Sequence, residues 1–135
     1  MIEVSCDRER IDVDAVHRFL SRESYWADGV AREVVERSIA HSMPFGAYDG
    51  EALVGFARVI TDRATFAYVA DVFVLPSHRG RGVAKAIMSA IAAHPELQGL
   101  RRWHLVTRDA HALYTQFGFG PLDAPERHMM RLRRN

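Results

Sequence analysis

The chain predicts a mixed α/β fold in which one mostly antiparallel sheet is flanked by helices, and three observations carry that expectation. Asp49-Gly50 separates two runs of strand-forming residues, and Asp-Gly supplies the positive φ values of a tight hairpin turn. A further turn near Thr61 to Ala64 leads into a long strand, Thr65 to Leu75, which completes an antiparallel meander. That strand passes through a glycine-bearing loop into a helix and on to Leu100 to Thr107, and such a crossover within one sheet is right-handed and parallel.

Each element has its own warrant. Ile2 to Ser5 reads as an opening strand. Asp12 can cap a helix whose apolar positions Val13, Val16, Phe19 and Leu20 follow helical spacing. Ser21 to Gly29 interrupts the pattern, and a second helix from Val30 to about Ser42 puts Ala31, Val35, Ser38 and Ile39 on one side. Phe45 to Tyr48 and Glu51 to Ile60 are the arms of the hairpin. Past the glycine loop, Ala84, Ile87, Met88 and Ile91 share a helical face, and the helix ends at His94 because Pro95 disfavours its continuation. Ala110 to Phe117 reads as a short helix and Arg127 to Leu132 as a closing strand.

Composition bounds the function. The 135 residues, 48% of them hydrophobic, suit one domain over residues 1–135. Eighteen basic and seventeen acidic residues leave a net charge of +1, without the strong positive bias of a nucleic-acid binder, despite Arg79, Arg81, Arg131, Arg133 and Arg134. Cys6 is the lone cysteine, which suits a reducing compartment, and no run reaches membrane-spanning length. A cytoplasmic protein with neither nucleic acid nor membrane as its partner is expected. The seven histidines show no metal-ligand spacing, so no metal is implied.

The chemistry concentrates in Asp71 to Ala84. Pro76 ends the strand by removing a ladder donor. Gly80 and Gly82 can turn successive N–H groups toward one point, and the helix beyond adds the positive end of its dipole, so the loop is a phosphate cradle. Arg79-Gly80-Arg81-Gly82-Val83-Ala84 fits neither a Walker loop nor a Rossmann fingerprint. It fits Arg/Gln-x-x-Gly-x-Gly/Ala, and so resembles the coenzyme A pyrophosphate loop of the GNAT acetyltransferase superfamily. Leu113-Tyr114-Thr115-Gln116-Phe117-Gly118-Phe119 is similar to the same family's Leu-Tyr-x-x-x-Gly-Phe segment.

The resemblance, which covers about Ile2 to Phe119, implies a sheet whose parallel pair splays apart to admit acyl-CoA. It further implies acetyl-CoA as co-substrate and an amine acceptor, a small molecule or a peptide. Arg79, Gly80, Arg81, Gly82, Val83 and Ala84 would hold the pyrophosphate, backbone groups of Val72, Phe73 and Val74 the pantetheine arm, and Tyr114 would protonate the departing thiolate. Thr107 stands where many relatives carry a coenzyme-contacting Asn. Asp71 either takes the amine proton through water, binds the substrate, or pairs with Arg58 on the neighbouring strand. Tyr25 and Trp26 either wall the acceptor pocket or staple the second helix to the core. Phe117 and Phe119 read as packing. A homodimer is compatible with the resemblance, and a noncatalytic acyl-CoA sensor is the alternative to an enzyme.

Overall fold

The computed structural model describes residues 1–133; Arg134 lies outside them. Its sheet has the order β1-β2-β3-β4-β5, formed by β1 (Ile2–Ser5), β2 (Met43–Asp49), β3 (Ala52–Thr61), β4 (Phe66–Val74) and β5 (Arg102–His104). The first four strands are antiparallel neighbours, whereas β4 and β5 run parallel, as the crossover rule requires. The β2–β3 turn falls one residue later than the Asp-Gly pair suggests: Asp49 stays in the strand, paired with Ala52, and Gly50 and Glu51 make the turn, with Gly50 alone at positive φ, +62°.

Helices cover both faces. α1 (Val13–Glu23) begins at Asp12, whose side chain accepts a hydrogen bond from the Ala15 N–H at 3.0 Å, and with α2 (Arg32–Ala40) it packs on one face. Val16, Phe19, Leu20, Val35 and Ile39 meet Tyr48, Leu53, Phe56 and Phe73 there. On the other face, α3 (Val83–Ala93) and α4 (His111–Thr115) bring Val83, Ile87, Met88, Ile91 and Tyr114 onto Phe45, Val54, Val59 and Val69. α3 approaches β3 closely at Gly55, where a Cβ would sit 2.9 Å from the Val83 side chain.

A β-bulge in β4 decides which residues face which layer. Phe56 pairs with Phe73 but Arg58 pairs with Ala70, so β4 carries one more residue than β3 across this interval. Ala67 and Val69 face α3, and simple alternation would send Phe73 to the same side. The bulge switches the parity, and Val72 and Val74 pack toward α3 while Phe73 is buried under α1. Asp71, at φ +55°, is the residue that absorbs the change.

Two expectations at the C-terminal end are corrected. The strand over Leu100 to Thr107 shrinks to Arg102–His104, because only Phe66, Ala67 and Tyr68 pair with it. Arg127 to Leu132 is not a strand: Pro125–Arg127 form a 3-10 turn and no ladder follows. Met129 is 99% exposed, so the alternating side chains there find no layer to pack against that would stabilise a sixth strand.

Candidate active site

The parallel pairing stops at Tyr68 and His104 while β4 runs on to Val74. The strands part beyond that point, and a cleft of about 560 Å³ opens between the end of β4, the start of α3, the segment leading into α4, and the end of α1. A larger groove of about 1280 Å³ lies on the far side of β5, under the C-terminal segment. The smaller cleft is the candidate site because the glycine loop opens onto it, and Tyr114 borders both spaces.

At one end of the cleft, Gly80 and Gly82 adopt φ +75° and +76°, and a Cβ on either would meet nothing within 4 Å. The N–H groups from Gly80 to Lys85 donate to no carbonyl among the described residues, and Gly82 caps α3 without a side-chain bond. A concave run of free donors at a helix start suits a phosphate oxygen. Val83 is buried under the loop, whereas Arg81 is exposed. Arg79 turns back, its Nε donating to the Val74 carbonyl at 3.1 Å, and so ties the loop to the end of β4. His78 anchors the preceding turn: its Nε2 lies 2.9 Å from Asp49 Oδ2 and its Nδ1 2.8 Å from the Ser77 hydroxyl. The hydrogen bond to His78 lowers the Asp49 pKa.

Tyr114 of α4 lines the cleft as well. It is 8% exposed, and its hydroxyl has no hydrogen-bond partner among the described residues. Burial, with Tyr25 and Asp109 adding smaller effects, pushes its pKa up to about 12, so the phenol keeps its proton throughout the neutral range. Thr107 accepts a hydrogen bond from the Ala110 N–H at 3.0 Å, and its hydroxyl therefore closes the turn into α4. Phe117 and Phe119 pack against the core as expected.

Asp71 does not line the cleft itself but bonds to Trp26, which does, and it receives two hydrogen bonds. Arg58 Nε lies 2.7 Å from Oδ2 and Trp26 Nε1 2.8 Å from Oδ1. The ion-pair alternative is thus present, and the bulge that displaces Asp71 from the regular pleat accompanies it. Tyr25 and Trp26, 51% and 43% exposed, meet edge to face at 5.0 Å and line the cleft. Arg108 spans the mouth: its guanidinium carbon lies 3.9 Å from the Tyr25 ring centroid, and its N–H donates to the Tyr25 hydroxyl at 3.2 Å.

Two cleft residues escape a reading of the sequence. Glu23 continues the Phe19 face of α1 by one turn, a spacing that could have flagged it. Arg108 sits in an irregular segment with no periodic signal. Among the described residues no group of three or more His, Cys, Asp or Glu could hold a metal ion, and no helix is long and apolar enough to cross a membrane.

This arrangement matches known proteins. The sequence profile of the acetyltransferase (GNAT) family fits residues 13–119. A Gibberella zeae protein described as a candidate acetyltransferase is 30% identical over 133 residues, spanning 82% of this chain and 74% of its own. A crystal structure from Xanthomonas campestris, described as a candidate GNAT-family acetyltransferase, is 50% identical with a TM-score of 0.97, covering 98% of this chain and 94% of its own. A Clostridium acetobutylicum structure described as a candidate acetyltransferase with acetyl-CoA shares the fold at 16% identity and a TM-score of 0.71, covering 98% of this chain and 96% of its own.

Proposed function

The chain belongs to the acetyltransferase (GNAT) family, and from that premise we propose that it moves an acetyl group from acetyl-CoA to a primary amine by direct attack in a ternary complex. The observation that carries the reading is the break in β4–β5 pairing after Tyr68 and His104. It opens a cleft with free N–H donors at one end and a protonated phenol inside. The Clostridium acetobutylicum neighbour described with acetyl-CoA supports the choice of co-substrate.

When bound, acetyl-CoA supplies an activated acetyl thioester. The chain's own residues then have separable duties. N–H groups of Gly80, Arg81, Gly82, Val83 and Ala84 hold the diphosphate, Arg79 fixes the loop through the Val74 carbonyl, and the remaining main-chain groups of Val72, Phe73 and Val74 align the pantetheine arm. Thr107 acts through the turn it closes into α4. Tyr25 and Trp26 wall the acceptor end, and Asp71, through Arg58 and Trp26, keeps that wall and the bulge in place.

Tyr114 donates toward the departing sulfur. Thiols titrate near 8.5, so full proton transfer from a phenol at about 12 would be uphill by roughly 5 kcal/mol. Its hydroxyl therefore contributes a directed hydrogen bond as the C–S bond breaks, with solvent completing the protonation. That assistance is modest in size.

The reading extends to a single domain in a reducing, cytoplasmic setting, supported by hydrophobic clusters on both faces of one sheet and a lone exposed Cys6. Calorimetry with acetyl-CoA, followed by a thiol-release screen against amines, polyamines and peptides, tests it. Saturable binding with amine-dependent release of one thiol per acetylated amine is expected. Binding without release beyond slow hydrolysis would favour the sensor alternative, and no binding would remove the reading.

A further inference from the structure

Both carboxylate oxygens of Asp71 are engaged, by Arg58 and by Trp26. Asp71 touches the cleft only through Trp26, whereas another carboxylate, Glu23, lines it directly. Glu23 closes α1 one helical turn beyond Phe19, whose ring stacks on Phe73 of β4 at 4.1 Å and 12°. Residues four apart share a helix face, so the stacking that docks α1 on β4 also sets Glu23 at the cleft wall beside Tyr25 and Trp26. Glu23 is exposed, and its carboxylate has no ion pair or hydrogen bond to any described residue.

Two carboxylates line the cleft, Glu23 and Asp109, together with His78, Arg79, Lys85 and Arg108; Asp109 lies 4.0 Å from Arg108, and Glu23 is the one without a cationic partner. Asp71 of β4 is neutralised by Arg58 of β3, and Tyr114 of α4 keeps its proton. An alkylamine titrates near 10 and reaches the site as an ammonium, which cannot attack a carbonyl until it loses a proton. A site for such acceptors needs an anion that attracts the cation and relays its proton to water.

Resting on the acetyltransferase reading above, we propose that Glu23 is the residue that binds the acceptor's ammonium and accepts its proton, and that acceptors are cationic primary amines on an apolar stem. The stem lies along Trp26, whose face favours both apolar and cationic groups, while Arg108 already covers a face of the neighbouring Tyr25 ring. One N–H bond of the ammonium breaks and its proton passes by way of a Glu23 oxygen to water; the freed lone pair forms the new C–N bond as the thioester C–S bond breaks, and a second proton leaves the nitrogen while the departing thiolate takes one up, giving the amide and the free thiol.

The test compares wild type, Glu23→Gln and Glu23→Asp with two probes, cationic phenethylamine and aniline, which is neutral at pH 7. Acetyl-CoA binding by calorimetry is expected to be unchanged in both variants. For Glu23→Gln, the affinity of the CoA-loaded protein for phenethylamine falls at least tenfold, and so does the kcat/KM ratio of phenethylamine over aniline. Glu23→Asp, which keeps the charge, recovers part of both. An unchanged ratio in Glu23→Gln would overturn the assignment. So would a wild type that binds acetyl-CoA yet prefers aniline, an outcome that leaves the acetyltransferase reading standing; failure to bind acetyl-CoA overturns both.

Discussion

Arg58 and Asp71 form an ion pair at 2.7 Å across neighbouring strands, with side chains only 17% and 12% exposed, at the point where β4 bulges. Removing one member of so enclosed a pair strands the other. Asp71→Ala and Arg58→Ala are each expected to destabilise the fold by about 3 kcal/mol, and the double variant by less than their sum. Denaturant unfolding of the four proteins measures the coupling. Additive losses would mean the pair contributes nothing beyond its separate side chains.

Tyr114 links catalysis to alkaline stability. Its folded pKa of about 12 exceeds the ordinary tyrosine value near 10, so its contribution is complete below pH 10 and is lost as pH rises toward 12. Two units correspond to roughly 3 kcal/mol at most. Burial raises Tyr48 as well, so the alkaline limb has two contributors. Tyr114→Phe should flatten that limb between pH 10 and 12 and lower kcat by about ten- to a hundredfold, with acetyl-CoA affinity retained. Wild-type turnover in the variant would exclude Tyr114 from the chemistry.

Gly82 holds φ +76° at the start of α3 with open space around its absent Cβ. Gly82→Val therefore meets backbone strain rather than a clash, on the order of 1–2 kcal/mol. Because the strain falls on the cradle, acetyl-CoA affinity by calorimetry should drop at least tenfold while the melting midpoint moves by a few degrees. Equal affinity would show that the diphosphate is held elsewhere.

Asp62 organises the β3–β4 turn by accepting hydrogen bonds from the N–H groups of Ala64, Thr65 and Phe66 and from the Thr65 hydroxyl. The Thr65 hydroxyl, then the backbone donors, hold its pKa far below the carboxylate range. Its contribution is present above pH 4 and is lost as pH falls through that depressed value. Asp62→Ala should lower the melting midpoint at neutral pH and weaken its dependence on acid, read by thermal unfolding from pH 2 to 7.

Much of this molecule is local enough to read from the chain. Asp12 caps α1, Gly50 turns the hairpin, and the glycine loop precedes α3, because each depends on a few adjacent residues whose backbone preferences are intrinsic. The C-terminal strand failed for the opposite reason. Arg127 to Leu132 has a strand-like composition, and β5 offers a free edge, but a strand also needs a packed face, and Met129, Met130 and Leu132 are all left exposed.

The candidate site divides the same way. Gly80, Gly82 and Tyr114 stand out because their chemistry is written in short motifs, and the parallel β4–β5 pair follows from chain order alone. Which carboxylate is free was decided only on folding. The bulge brings Asp71 within reach of Arg58, thirteen residues away, and Trp26, forty-five away, while the Phe19–Phe73 stack leaves Glu23 at the cleft unpaired. Sequence specifies which groups the chain carries and what each can do. Whether a charge is neutralised depends on distances between residues remote along the chain, and packing alone sets those distances.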